Sequence, residues 1–122
     1  MENCIFCKIA NKEIPAEVVY ENDDFVSFMD INPQAPGHVQ VIPKKHVRYV
    51  WDVENFAEYF LLVKKIARAI QGTFGTDTVW MKVMGEEVPH AHVWLFPMAY
   101  EATGDKKDFA GNAEKIRQNL AL

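Results

Sequence analysis

The segment "DFVSFMDINPQAPGHVQVIP", residues 24–43, contains two short apolar runs on either side of a break. The first run, residues 24–31, carries polar Ser27 among Phe, Val and Met side chains, and the second is "HVQVIP", residues 38–43. Between them, "NPQAPG" supplies two prolines and a glycine, which end regular structure and favour a turn. The segment therefore predicts two strands with a short connection, as in an antiparallel sheet.

An amphipathic opening and a further strand are predicted upstream of this segment. The opening carries apolar Ile5, Phe6 and Ile9, and Pro15 stops any helix that starts there. The run "AEVVYEN", residues 16–22, then begins a strand. The first half of the chain is thus dominated by strands.

The main helix is predicted downstream, from Asn55, a favourable N-cap, to Gly72 and Gly75. Its apolar residues recur at three- and four-residue steps, which place them on one helix face. They are Phe56, Tyr59, Phe60, Val63, Ile66, Ala67 and Ile70.

The last elements are two strands and a short helical segment. The strands are predicted at residues 78–84 and 90–96, joined by the turn "GEE", and residues 108–122 are expected to hold a helical turn or two. The order of strands, helix and strands predicts an α+β fold, with an antiparallel meander packed against one main helix.

Composition limits the classes of protein to consider. A chain of 122 residues that is 49% apolar fits one globular domain over residues 1–122. It contains neither an apolar run of membrane-spanning length nor a secretory leader, so we expect a soluble cytoplasmic protein with no membrane partner. The net charge of −4, without a stripe of Lys and Arg, argues against nucleic-acid binding.

The segment "VPHAHVWLFP", residues 88–97, places two histidines on one face of a strand. Alternate side chains of an extended segment share a face, so His90, His92 and Trp94 point one way and the small or apolar residues between them point the other. The second set is suited to the core and the first to a site. A lone strand histidine is more often structural than catalytic, so this pattern needs support from the rest of the chain.

The two cysteines, Cys4 and Cys7, form the motif "CIFC". With two of the four histidines they supply the ligand types of a closed zinc site. A thiol redox pair is the alternative, although such a pair normally follows a strand and opens a helix. The long gaps to His46 and His90 match no short zinc-finger spacing, and the residues alone leave both interpretations open.

A strand histidine also has the chemistry to attack phosphorus. One ring nitrogen must be free, while the other donates to an acceptor that fixes the tautomer. A phosphate held beside such a histidine needs backbone N–H donors, and Gly85 in "MGEEVPH" would allow the backbone to approach closely. The carboxylates of Glu86 and Glu87 are unfavourable neighbours for a phosphate.

Together these motifs resemble the histidine triad family of nucleotide hydrolases and transferases. The resemblance runs from "CIFCKIANKEIPAEVVYEND" through "FMDINPQAPGHVQVIPKKH" to "GEEVPHAHVWLFP". It implies a HIT-like fold and a homodimer in which the two sheets join into one. It also implies hydrolysis or nucleotidyl transfer at the α-phosphate of a purine nucleoside phosphoanhydride or phosphoramidate.

The resemblance assigns roles to individual residues. His92 matches the central histidine, the nucleophile that forms a nucleotidyl-histidine intermediate. Asp30 matches the acidic residue that holds the ribose hydroxyls, with Ile31 beside it, and His38 matches a histidine that orders the phosphate and the nucleophile. The apolar residues expected to border the base are Phe6, Ile9 and Phe28.

The resemblance also implies one structural Zn²⁺. In zinc-containing members, the positions that match Cys4, Cys7, His46 and His90 bind a single metal. With His38 and His92 near the phosphate, this division uses every cysteine and histidine of the chain. For His46 the alternative is an exposed histidine after "PKK".

Two departures from the family pattern affect the predicted nucleotide site, which includes Gly85, Glu86, His92 and Trp94. The third triad histidine, on the leaving-group side of the phosphate, is replaced by Trp94, whose indole cannot shuttle a proton. Glu86 stands where family members carry glutamine, and Glu87 adds a second carboxylate. Two alternatives to an enzyme therefore stay open: a zinc-stabilised nucleotide-binding protein with weak or no catalysis, and a thiol redox or zinc-based interaction protein.

Overall fold

A computed structural model describes residues 3–85 and 87–120 of the chain. Within these two ranges, three α-helices and five strands follow one another, with a short 3₁₀ turn at Val50–Asp52. In chain order they are α1 (Ile5–Ala10), β1 (Val18–Glu21), β2 (Phe25–Met29), β3 (Val39–Pro43), α2 (Phe56–Phe74), β4 (Val79–Met84), β5 (His92–Pro97) and α3 (Phe109–Leu120). None of the described helices combines the length and apolar character needed to cross a membrane.

The five strands form one antiparallel sheet in the order β1-β2-β3-β5-β4. The first three strands form a meander, as predicted. After β3, however, α2 carries the chain to the far edge of the sheet, so β4 forms that edge and β5 returns between β3 and β4. The predicted α+β class and antiparallel sheet are confirmed, and the meander is limited to the first three strands.

One face of the sheet is covered by α2 and α3. The apolar stripe predicted on α2 packs on this face, where Tyr59 is fully buried and donates its hydroxyl to the Val41 carbonyl at 2.6 Å. The C-terminal helix is longer than the predicted turn or two, because α3 spans three turns. Its only fully buried apolar residues are Ala113 and Ile116, so the apolar periodicity that would predict this helix from the sequence is weak.

The opposite face of the sheet is covered only in part. Helix α1 packs Phe6 and Ala10 against β2 and β3, where Phe28 and Ile42 are buried. Further along this face, Trp80 on β4 remains about half exposed. We call the uncovered part beside α1, formed by β5 and β4, the open face.

Gly37 fixes the connection between β2 and β3. Its φ of +83° lies in the left-handed region, and a Cβ at this position would overlap the ring of Phe74 at the end of α2. The connection therefore sits directly on the helix, and it delivers His38 to the start of β3 as a fully buried side chain.

Candidate functional site

His92 begins β5 and has one ring nitrogen engaged. Its Nδ1 lies 2.7 Å from the carbonyl oxygen of His90. Because a carbonyl only accepts, Nδ1 carries the proton and Nε2 of the neutral ring keeps its lone pair. The side chain is 3% exposed and packs edge-on against Phe6, with ring centroids 5.1 Å apart. This tautomer is the one that nucleophilic attack through Nε2 requires.

His38 is held in the opposite tautomer. Its Nδ1 accepts from the backbone N–H of Gln34 at 3.0 Å, so the neutral ring carries its proton on Nε2. That Nε2 faces Asp30, 3.5 Å from Oδ2, beyond the range of a well-formed hydrogen bond. Burial lowers the pKa of His38, and the nearby Asp30 carboxylate opposes this shift in part. His38 is thus a neutral N–H donor beside a carboxylate.

Gln40 is a site residue that the sequence reasoning missed. Its Nε2 donates to Asp30 Oδ2 at 2.9 Å, and Asp30 Oδ1 accepts from the Asn32 backbone N–H at 2.8 Å. The carboxylate that the resemblance assigns to the ribose is therefore held from two sides. The sequence feature that could have revealed Gln40 is its spacing from His38, because side chains two residues apart in an extended segment face the same way.

Trp94 lies beside the histidines on the open face. Strand pairing places Gln40 opposite it on β3 and Lys82 opposite it on β4. Its ring contacts His38 at 4.8 Å between centroids, and the Lys82 ammonium lies 5.7 Å from the ring centroid. Among the described residues, its buried Nε1–H has no hydrogen-bond partner. Lys82, like Gln40, was not singled out in the sequence.

Two cysteines and two histidines come together beside α1, where Cys4 caps the helix. They are Cys4, Cys7, His46 and His90, and their ligand atoms all lie within 4.8 Å of one another. Nδ1 of His90 is 3.2 Å from Cys4 Sγ, and Nδ1 of His46 is 3.2 Å from Cys7 Sγ. Tetrahedral zinc, with bonds of about 2.0–2.3 Å, separates its ligands by about 3.3–3.8 Å, so this set is compatible with zinc.

The surroundings of this cluster favour a metal as well. Nε2 of His90 lies 2.7 Å from the Pro43 carbonyl and must donate to it, which leaves Nδ1 free as a ligand. Burial lowers the pKa of His90, so the ring is neutral as ligation demands. Burial, reinforced by neighbouring Cys4, raises the pKa of Cys7 to about 11, so a thiolate here needs a cation. His46 is half-buried in the cluster, not an exposed residue after "PKK".

The three apolar residues expected to border the base lie together, apart from Ile31, which was expected beside the ribose-binding Asp30. Phe6 and Phe28 are in contact, with ring centroids 5.8 Å apart, and Ile9 packs against the same cluster on α1. Ile31 instead is 75% exposed and lines a separate cavity of about 240 Å³ with Phe109 of α3. Phe6, Ile9 and Phe28 thus form one apolar cluster at α1, and Phe6 connects it to His92.

The turn before β5 is held by a neighbouring loop. Arg48 Nε donates to the Gly85 carbonyl at 3.2 Å, and a Cβ on Gly85 would come within 2.8 Å of the Tyr49 ring. The Tyr49 ring therefore already requires glycine at position 85, apart from any close approach of the backbone to a phosphate. Glu87 is exposed, and Glu86 lies outside the described residues.

A family model and solved structures match this chain closely. The model described as the HIT domain matches residues 11–100. A crystal structure of a HIT-like protein from Bartonella henselae, described as involved in cell-cycle regulation, has a TM-score of 0.86 at 36% identity and covers 98% of each chain. A zinc-bound histidine triad family protein from Mycobacterium smegmatis has a TM-score of 0.79 at 26% identity, covering 98% of this chain and 94% of that one.

A characterised relative also matches. The adenosine 5'-monophosphoramidase HNT1 of Saccharomyces cerevisiae is 35% identical over 104 residues, which cover 83% of this chain and 66% of the yeast protein. The domain match, these sequence identities and the shared five-stranded sheet agree with one another. The chain belongs to the HIT domain family.

Proposed function

We propose that the protein is a hydrolase or nucleotidyl transferase acting at the α-phosphate of a purine nucleoside phosphoanhydride or phosphoramidate. The observation that carries this proposal is the tautomer of His92, whose Nδ1–H is engaged at 2.7 Å and whose Nε2 is free. The relationship to an adenosine monophosphoramidase supports the same reaction class. The family in general binds nucleotides or their derivatives.

The proposed reaction proceeds in two displacements. The Nε2 lone pair of His92 forms a bond to the α-phosphorus, and the bond to the leaving group breaks with its electron pair on the departing oxygen or nitrogen; a departing nitrogen also takes up a proton from solvent water. The proton on Nδ1 stays in place, where the His90 carbonyl stabilises the positive ring. Water then attacks the phosphorus, the N–P bond breaks with its electron pair returning to Nε2, and the water proton passes to solvent. The products are a nucleoside monophosphate and the leaving group.

Other residues bind and orient the nucleotide in this proposal. Asp30, fixed by Gln40, accepts hydrogen bonds from the ribose hydroxyls. The neutral His38 donates from Nε2 toward phosphate oxygen, because its Nδ1 is already occupied by Gln34. Phe6 and Phe28 form the apolar border for the base and exclude water from His92.

We further propose that a structural Zn²⁺ is held by Cys4, Cys7, His46 and His90. The ion ties α1 to the residues before β5, and so fixes Phe6 and His92 relative to each other. Free thiolate ligands require a reducing compartment, which is consistent with a cytoplasmic protein. The zinc-bound mycobacterial relative supports this assignment.

The experiment is AMP release from adenosine 5'-phosphoramidate and from diadenosine triphosphate, in the wild type and in His92→Ala. We expect release from at least one substrate, and a loss of more than about 10³-fold in the variant, since no other free imidazole replaces the nucleophile. A single-turnover experiment with radiolabelled substrate should trap AMP on the wild-type chain. Release that survives His92→Ala would reject the mechanism.

Trp94 favours a second candidate, a nucleotide-binding protein with weak turnover. We propose that it occupies the place of the third triad histidine, and its ring fills space beside His38 at 4.8 Å without a transferable proton. This candidate predicts AMP binding by calorimetry in the micromolar to millimolar range, with turnover equal to that of His92→Ala.

We also propose a homodimer formed through β4. The β1 edge is partly covered, because Arg117 donates to the Val18 carbonyl at 2.6 Å, whereas β4 forms the other edge and exposes Trp80, Met81 and Val83. Pairing of two β4 strands would join the sheets and cover these side chains. Light scattering should give twice the mass of 14.0 kDa, and Met81→Pro, which removes a backbone donor, should give the monomer.

A further inference from the structure

The open face presents a cation beside the ring of Trp94, whose buried Nε1–H finds no hydrogen-bond partner within the part of the chain that the structure describes. Lys82 stands opposite Trp94 in the β4–β5 pairing, with its ammonium 5.7 Å from the Trp94 ring and 6.0 Å from the Phe96 ring. By contrast, Lys12 and Lys44 near the end of β1 both form ion pairs with Glu21 at 2.8 Å. Among the described residues, no carboxylate forms an ion pair with Lys82.

This pair lies where a leaving group must depart. Phe6 packs on the α1 side of His92 at 5.1 Å, where the proposed function places the base, so the leaving group is directed to the other side of His92, along the open face. The next side chains there are Trp94, on the same face of β5 as His92, and Lys82 across from it. The Lys82 charge also reaches into the site, where it opposes protonation of His38.

We infer that Lys82 and the Trp94 N–H form a leaving-group subsite that selects an anionic leaving group, so that phosphoanhydrides are preferred over phosphoramidates. The inference rests on the proposed function. When the anhydride bond breaks, the electron pair stays on a phosphate oxygen, which is acidic enough to depart without a proton. An ammonium and an N–H donor stabilise that charge. An amine leaving group must gain a proton as its bond breaks, and Trp94 has none to transfer.

The test compares two substrates that share the adenosine 5'-phosphoryl group. The measured quantity is the ratio of kcat/KM for diadenosine triphosphate to kcat/KM for adenosine 5'-phosphoramidate. In Lys82→Met this ratio should fall about tenfold, because a charge-assisted contact to one substrate is lost. Lys82→Arg should keep the ratio within about threefold, since guanidinium retains the charge but cannot give up a proton.

Lys64→Met is the matched control, because it removes the same exposed charge from α2 on the other side of the sheet. It should leave the ratio unchanged, and thermal unfolding should verify that all variants are folded. Salt at 0.5 M should lower the wild-type ratio, since an exposed charge is screened.

Three results would overturn the inference. A ratio that is the same in wild type and Lys82→Met rejects the subsite while leaving the proposed function intact. A ratio that Lys82→Arg fails to restore assigns Lys82 a proton-donating role instead of an electrostatic one. AMP release from neither substrate in the wild type rejects the proposed function, and the inference with it.

Discussion

Replacing Phe6 tests whether α1 organises the site. Phe6 is 7% exposed and contacts Phe28, His90 and His92. An aromatic side chain that buries about 200 Å² accounts for about 5 kcal/mol at 25 cal/mol/Å². Because α1 lies at the surface and can settle toward the sheet, we expect Phe6→Ala to cost about 3 kcal/mol of unfolding free energy, at the low end for core phenylalanines. For a chain of this size that lowers Tm by about 10–15 °C.

The assay is urea unfolding of the metal-loaded protein, with zinc content measured in parallel. Phe56→Ala is the matched control, because Phe56 is 42% exposed and stacks mainly on Phe60 at 4.6 Å, so its loss should cost less than about 1.5 kcal/mol. Phe6→Leu conserves most of the volume and should also cost less than about 1.5 kcal/mol. A Phe6→Ala cost below about 1 kcal/mol, or equal to that of Phe56→Ala, would refute the reasoning.

Three further predictions concern metal, leaving group and pH. Cys7→Ser should reduce the zinc content to well below one ion per chain and should lower Tm. Zinc is measured by mass spectrometry on protein purified without a metal-affinity step. Stoichiometric zinc in this variant would contradict the ligand set. Trp94→His should raise AMP release from adenosine 5'-phosphoramidate by about tenfold or more, because an imidazolium can protonate the amine; an unchanged rate would place the limitation elsewhere. Burial lowers the pKa of His38 below its unfolded value of about 6.5, so the stability it contributes is complete above that pH and declines as the pH falls from 7.5 to 5.5. Urea titrations at both pH values should show a smaller loss of unfolding free energy for His38→Gln than for the wild type. The metal ligands titrate alike in both proteins, so they do not contribute to this difference. An equal loss in the two proteins would rule out the effect.

The strands and the main helix follow from local patterns in the sequence. The alternation of apolar residues along residues 91–95, the α2 stripe and the break at residues 32–37 each depend on neighbours in the chain, which is why they predicted the elements and the α+β class correctly. The extent of α3 was underestimated, because only two of its apolar residues are fully buried. Local patterns also do not reveal strand order, so the insertion of β5 between β3 and β4 was not predicted.

The sequence by itself determined which side chains the protein has for its chemistry, and the family resemblance proposed how to divide them. Only the tertiary structure decided which of them meet. Cys4 lies 3.2 Å from His90 across 86 positions of chain, and Gln40 reaches Asp30 across ten. Lys82 faces Trp94 solely because β4 pairs with β5 in one register. The physical reason is that side-chain periodicity has the range of one element, whereas the approach of distant residues depends on strand register and on where α1 and α2 place the chain.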